Sequence, residues 1–261
     1  MSEPVNNVYE AVEAAYSDRP AATRRQLVGG AAATVGSLTV LGALPELASA
    51  EHTNEPQTVL NVAATAEVLA TIVNTVGREK VKLDAVTDAN VAAAAREELI
   101  HERVLEASGG KPVTTQIHVP DEVFANATNL LSTLEVGDQI FINAYLLATT
   151  VFATQRYRNP KLARYTAEFM GVEAVHRALA RQSLGKLGND RAFMRYVQSE
   201  EADAPNRGAG GFKRIETAVA QLEAAGFGFG KAGSKPGQMY DFAEVSKRTP
   251  NPSGVNTTSP R

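Results

Sequence analysis

The chain has 261 residues, with 26 basic and 29 acidic side chains, a net charge of −3 at pH 7, no Cys and no Trp. The lack of cysteine excludes disulfides, thiol redox chemistry and zinc–thiolate sites. A slightly acidic chain without a Lys/Arg cluster is not expected to bind nucleic acid, and its composition is typical of a helical globular domain with additional segments.

Residues 1–50 are predicted to be an export signal. Arg24 and Arg25 precede an uncharged run that continues to Pro45, and residues 48–50 (Ala-Ser-Ala) form a cleavage pattern. The segment resembles a twin-arginine signal peptide, which implies a periplasmic or extracellular protein that crosses the membrane already folded. An uncleaved N-terminal membrane tether is the alternative. We expect no membrane contact beyond this segment.

Residues 51–185 are predicted to form four long helices. The first runs from about 56 to 76, with Pro56 suited to the first helical position. The second runs from about 87 to 107 and ends at two glycines. A long connection leads to the third, from about 121 to 155, which could be interrupted near Thr133. The fourth follows Asn159 and runs to about Leu184.

Each predicted helix carries an ionisable residue on its apolar face. Two Glu-x-x-His steps, in the second and fourth helices, each direct a carboxylate and an imidazole to one side, because residues three apart have Cβ atoms about 5–6 Å apart. The other two helices each carry one inward carboxylate. Four buried carboxylates require a compensating cation. The sequence therefore predicts a dimetal site formed by Glu67, Glu98, His101, Asp138, Glu173 and His176.

These segments resemble the secreted ferritin-like domain proteins, a group that includes desiccation-related proteins. The resemblance rests on residues 60–67 (LNVAATAE), 97–101 (EELIH), 138–145 (DQIFINAY) and 171–176 (GVEAVH). It implies an all-α fold, namely a ferritin-like four-helix bundle with one long crossover connection. It also implies two metal ions, iron first, with manganese or zinc as alternatives. Asp138 stands where the pattern has Glu, so Glu135, one turn earlier, is the alternative third-helix ligand.

The resemblance implies a ferroxidase-like activity, in which dioxygen or peroxide oxidises ferrous iron and protects against iron or oxidative stress. The first alternative is a non-enzymatic stress or desiccation-related protein with a degenerate or structural metal site, which the shorter Asp138 favours. The second is a diiron oxygenase for an organic substrate. That activity would need a pocket lined by Leu134, Phe141, Ile142 and Phe169.

The expected partners are therefore metal ions and dioxygen or peroxide. A homo-oligomer is compatible with the sequence, but a storage shell is not implied, since membership of a fold superfamily does not determine assembly.

Other noticeable residues are assigned structural roles. His52 and His118 are predicted to lie on the surface, and Tyr145 is predicted to pack, with electron donation to the metals as the alternative. Arg96, Glu97 and Glu102 are placed on the solvent side of the second helix. Residues 228–233 (GFGKAG) match a dinucleotide motif in letters, but they follow a predicted helix instead of a strand, so no nucleotide is expected.

The C-terminal part is predicted to contain short helices and a tail. Residues 186–246 are predicted to form a helical extension, with helices at about 189–196 and 211–225. Gly, Pro, Ser and Thr dominate the sequence from Gly226 onward, and residues 247–261 are predicted to be a disordered tail.

Overall fold

The structure is a computed structural model that describes residues 54–154, 157–189, 212 and 214–252. The predicted export signal, His52, most of the helix expected at 189–196 and the last part of the expected tail lie outside the described residues.

Four long helices dominate the described part of the chain: α1 (Pro56–Lys80), α2 (Ala85–Ala107), α3 (Ala127–Ala153) and α4 (Pro160–Ser183). Side-chain caps fix three of their starts. Asp84 accepts hydrogen bonds from the backbone N–H groups of Val86 and Thr87 at α2, and Asn126 and Asn159 cap α3 and α4 in the same way. Helix α3 is continuous through Thr133 and is preceded by a separate 3₁₀ turn, Asp121–Phe124.

The four helices pack side by side. Helix α1 contacts α2 and α3, and α4 contacts α3 and α2. Short connections at residues 81–84 and 154–159 make α1 with α2, and α3 with α4, two helix pairs. The apolar stripes face the shared core, which includes the fully buried Ile72, Leu99 and Phe141. The prediction of a predominantly α protein is confirmed.

The connection between α2 and α3 contains a strand that periodicity did not predict. Strand β1 (Gln116–Pro120) is the central strand of a three-stranded antiparallel sheet, between β2 (Gly228–Phe229) and β3 (Gly237–Asp241). Ile117 lies opposite Phe229 on one side and Tyr240 on the other. The purely all-α prediction is therefore wrong for this region. Because the partner strands come from a distant part of the chain, a local pattern could not reveal their pairing.

The C-terminal segment mixes helix and strand. Helix α5 (Glu216–Ala224) precedes β2, and a single turn, α6 (Phe242–Val245), follows β3 and contacts α1. The prediction of disorder is wrong for residues 247–252, which have defined positions. Arg248 Nε donates to Glu79 Oε1 over 2.7 Å, and the hydroxyl oxygens of Thr249 and Thr75 lie 3.1 Å apart. These contacts tie the segment to the end of α1.

His118 is buried in the sheet, so its assignment to the surface was wrong. Its Nε2 lies 2.9 Å from the carbonyl oxygen of Lys235. A Cβ added to Gly233 would lie 2.8 Å from His118 Cδ2, and one added to Gly237 would lie 2.7 Å from Nε2. Backbone atoms lie closer still, because the same two Cβ atoms would lie 1.9 Å from the carbonyl oxygen of Gly226 and 2.2 Å from that of Val119. Close packing of backbone and imidazole therefore explains these glycines.

Helices α1 and α3 are long and apolar enough to cross a membrane by length and composition alone. An 18-residue window of α1 is 94% buried within the structure, which is the behaviour of a core helix in a globular protein.

Candidate metal centre

The structure brings all six predicted ligands together at the centre of the four long helices, and each is buried. Their donor atoms form two overlapping groups, in each of which all atoms lie within 4.8 Å of one another. The first group consists of Glu67, Glu98, His101 and Glu173, and the second of Glu98, Asp138, Glu173 and His176. Glu98 and Glu173 belong to both groups, so these two carboxylates lie between the two potential metal positions.

The spacing of the donor atoms is close to that of a metal coordination sphere. Oxygen and nitrogen ligands lie about 2.0–2.2 Å from a metal such as zinc, so two ligands on opposite sides of one ion are separated by about 4.4 Å at most. The 4.8 Å limit within each group exceeds this by a few tenths of an ångström. Small side-chain adjustments would therefore suffice, and each group could hold a metal ion.

The donor atoms are buried and lack other partners. Eight side-chain atoms of the cluster have no hydrogen-bond partner in the described part of the chain: Glu67 Oε2, both carboxylate oxygens of Glu98 and of Glu173, Asp138 Oδ2, and Nδ1 of His101 and His176. Buried polar groups are normally satisfied, because an unmade hydrogen bond inside a protein is costly. A group of buried carboxylate and imidazole atoms that lie close together and make no hydrogen bond fits a bound cation.

Protons balance the charge of the cluster when no metal is bound. Burial, followed by the charge of Glu98, raises the pKa of Glu67 well above its usual value. Burial and then Glu173 do the same to the pKa of Asp138. Burial alone would lower the pKa of His101, but the carboxylates around it, with Glu67 first, raise that pKa above its ordinary value. The metal-free centre thus holds protons that a cation would displace.

Glu98 and His176 form a charged pair within the centre. Burial would raise the pKa of Glu98, but His176 and His101 outweigh it, and the pKa lies below its usual range. His176 responds in the opposite direction: burial would lower its pKa, but Glu98 and other carboxylates raise it. His176 Nδ1 lies 3.0 Å from Glu98 Oε1. The shared carboxylate Glu98 is therefore ionised and available as a ligand.

Glu97 supports the centre from outside the predicted ligand set. Its Oε2 lies 2.6 Å from His176 Nε2, so His176 Nδ1 is free to face the cluster. A carboxylate on the far nitrogen of a metal-binding histidine fixes the tautomer and the ring orientation. The side chain of Glu97 is 34% exposed, in keeping with its placement on the solvent side. Its contact with His176 was not predicted, because that contact depends on how α4 lies against α2. Glu102 was misplaced, since it is buried.

Aromatic rings close the His101 side of the centre. The rings of Phe169 and His101 are stacked, with centroids 4.0 Å apart, and Tyr145 meets Phe169 edge to face at 5.5 Å. The buried Tyr145 hydroxyl donates a hydrogen bond to Glu67 Oε1. Tyr145 therefore packs, as predicted, and also holds a ligand residue in place.

The geometry distinguishes between the two third-helix candidates. Glu135 is buried in an ion pair with Arg181, and Lys186 Nζ lies 2.8 Å from its second oxygen. Both carboxylate oxygens of Glu135 are thus paired with cations. Asp138, one turn later, has an unpaired Oδ2 and belongs to the second ligand group. Within the described residues, Asp138 is the third-helix carboxylate that reaches the centre.

Together, the fold and the site define a predominantly α protein with a buried carboxylate–histidine cluster that could hold metal. Searches with this chain found no matching protein-family model, curated protein or solved structure. Functional inference therefore rests on the residues themselves.

Proposed function

We propose that the cluster binds two divalent metal ions within a ferritin-like four-helix bundle, and that the protein oxidises ferrous iron with dioxygen or peroxide. The observation that carries this proposal is the set of eight buried atoms without a hydrogen-bond partner in the described residues, in two groups that share Glu98 and Glu173. Glu98 and Glu173 would help to hold both metals, and a pair of metals would supply activation of one small oxygen species. Oxygen and imidazole donors without thiolate suit iron or manganese, with zinc as a substitute.

The chemistry supplied by bound metals would be one-electron redox change and Lewis acidity. The chain's own residues would hold the ligand side chains in position and shield them from water. Glu97 orients His176, Tyr145 holds Glu67, and Phe169 shields His101 from water. The imidazoles and carboxyl groups that carry protons in the metal-free state release them when a cation binds. Acidic solution should accordingly weaken metal binding.

The two alternatives are less well supported by the geometry. A degenerate site was favoured by the short Asp138 side chain, but Asp138 lies in the second ligand group. An oxygenase for an organic substrate needs a large pocket. Of the four residues expected to line that pocket, Leu134 lines a cavity of only about 30 Å³, and Phe169 stacks on His101 instead.

The test is an anaerobic titration of the metal-free protein with ferrous iron, followed by addition of oxidant. We expect about two metals per chain, release of protons on binding, and a fast oxidation phase that saturates at the same ratio. Glu98→Ala combined with Glu173→Ala removes both shared carboxylates and should abolish tight binding. The matched control is Glu106→Ala with Glu168→Ala, which removes exposed glutamates from the same two helices.

Each outcome has a distinct meaning. Unchanged metal content in the Glu98/Glu173 double variant would refute the site. Two metals without a fast oxidation phase would instead support the structural or stress-protein alternative.

A further inference from the structure

A small cavity adjoins only one of the two ligand groups. It has a volume of about 30 Å³, is partly open to solvent, and has Asp138 and His176 in its lining. These are the two ligands that the second group has and the first group lacks. Glu67 and His101, which belong to the first group alone, are not among the residues that line it. The cavity therefore approaches the centre at the second metal position.

The opening of the cavity lies between α2 and α4. Its partly or fully exposed lining residues are Asn90 on α2, and Leu179 and Ser183 on α4. The lining residues from α1 and α3, such as Asn74 and Leu134, are all buried. A small species that enters between α2 and α4 thus has α1 and α3 as the inner wall and the second ligand group at the end of its path.

The cavity is narrow because small side chains alone leave the space. Its buried wall includes Val91 and Ala94 on α2 and Ala180 on α4. A water molecule needs about 10–15 Å³ of such volume, so the cavity holds roughly two water-sized molecules. A divalent ion without its hydration shell is smaller than a water molecule and can pass with one or two waters. A larger molecule cannot follow it.

The first ligand group is covered by buried aromatic side chains instead. Phe169 stacks on His101 with ring centroids 4.0 Å apart, and Tyr145 packs against Phe169 at 5.5 Å. Phe169 is 3% exposed and Tyr145 is 2% exposed. The Tyr145 hydroxyl also donates a hydrogen bond to Glu67. Because side chains in a close-packed interior leave few gaps, an ion at the first position is enclosed by this packing.

We propose that the ion held with Asp138 and His176 exchanges with solvent through the cavity, whereas the ion held with Glu67 and His101 is retained. This inference rests on the proposed function and gives the two metal positions different roles. The exchangeable position takes up iron as the substrate and releases it. The enclosed position keeps its ion as a permanent partner in the reaction.

Iron release measures whether the two positions differ. The protein is loaded anaerobically with ferrous iron and mixed with an excess of a coloured ferrous chelator, which is too large for the cavity and captures only released ions. We expect two phases, with about one iron per chain in each. Asp138→Asn assigns them, because it removes a donor from the second group alone. This variant should lose the fast phase and keep the slow one.

Changes in the cavity wall test the route itself. Ala180→Leu fills the cavity and should slow the fast phase about tenfold, because a closely packed side chain must move before an ion can pass. Val91→Ala widens the cavity and should make the fast phase faster. Neither residue is a candidate ligand, so the slow phase and the iron content should stay unchanged. The control Ala167→Leu adds the same side chain at an exposed position of α4 outside the lining and should alter neither phase.

The outcomes separate this inference from the proposed function. Release of both ions in a single phase would overturn the inference, as would an Asp138→Asn protein that loses the slow phase. An unchanged fast phase in Ala180→Leu, with calorimetry showing a folded protein, would overturn the route. If Ala180→Leu does not fold, an unchanged fast phase in Val91→Ala has the same meaning. A wild-type protein that binds no iron would instead refute the proposed function.

Discussion

Glu135 and Asp138 lie one turn apart on α3, and replacing each by its amide should give opposite results. Glu135 pairs with Arg181 and Lys186, whereas Asp138 points to the ligand cluster with an unpaired oxygen. We therefore expect Glu135→Gln to destabilise the metal-free protein without loss of metal. Asp138→Asn should leave that stability almost unchanged and reduce the metal content.

The magnitudes follow from burial and pairing. Glu135 and Arg181 are both buried, and removing one partner of such a pair costs about 3–5 kcal/mol. For a protein of this size the loss corresponds to a fall in melting temperature of about 6–20 °C. Burial raises the pKa of Asp138, so Asn replaces a neutral acid with a neutral amide, and the expected change is within about 1 kcal/mol.

The assay uses calorimetry of the metal-free variants and elemental analysis after metal loading. Asp138→Asn removes one donor from the second group and none from the first, so metal content should fall from about two to about one per chain. Loss of metal from Glu135→Gln, with full retention in Asp138→Asn, would refute the assignment of the third-helix ligand.

Two further predictions concern the neighbouring glutamates. Glu97→Gln should weaken metal binding about 10–100-fold, because the carboxylate on His176 Nε2 is lost. A titration against a competing chelator measures the affinity. An unchanged affinity would mean that Glu97 does not orient His176. Burial, and then Glu106, raise the pKa of Glu102 to about 7 from 4.5. The folded protein therefore favours the protonated form of Glu102. The resulting contribution to the free energy of unfolding is complete below about pH 4.5 and is lost as the pH rises through about 7. Glu102→Gln should therefore stabilise the protein at pH 8.5 and leave its stability almost unchanged at pH 4.5. Urea unfolding at the two pH values checks this, and an equal effect at both would contradict it.

Asn74 shows that one signal in the sequence was overlooked. It continues the apolar stripe of α1 beyond Glu67, where a polar side chain is as unexpected as the glutamate itself. Helical periodicity would have placed it on the buried face. Its place beside Leu134 and Asp138 in the lining of one small cavity required the packed structure.

By itself, the sequence determined the four long helices and the inward residues that they carry. A helix has fixed local geometry, so the Glu98–His101 and Glu173–His176 steps share a face wherever the helices lie. The start of α4 was also predicted locally, from the cap Asn159. The starts of α2 and α3 were placed at about 87 and 121, but they follow the caps Asp84 and Asn126.

Only the tertiary structure decided which side chains meet between helices. The rotation and height of α3 against α4 pair Glu135 with Arg181 and leave Asp138 for the cluster. The packing of α2 against α4 brings Glu97 to His176. The sheet joins β1 to strands from the C-terminal segment and buries His118. These contacts join residues far apart in the chain, and no local spacing determines them.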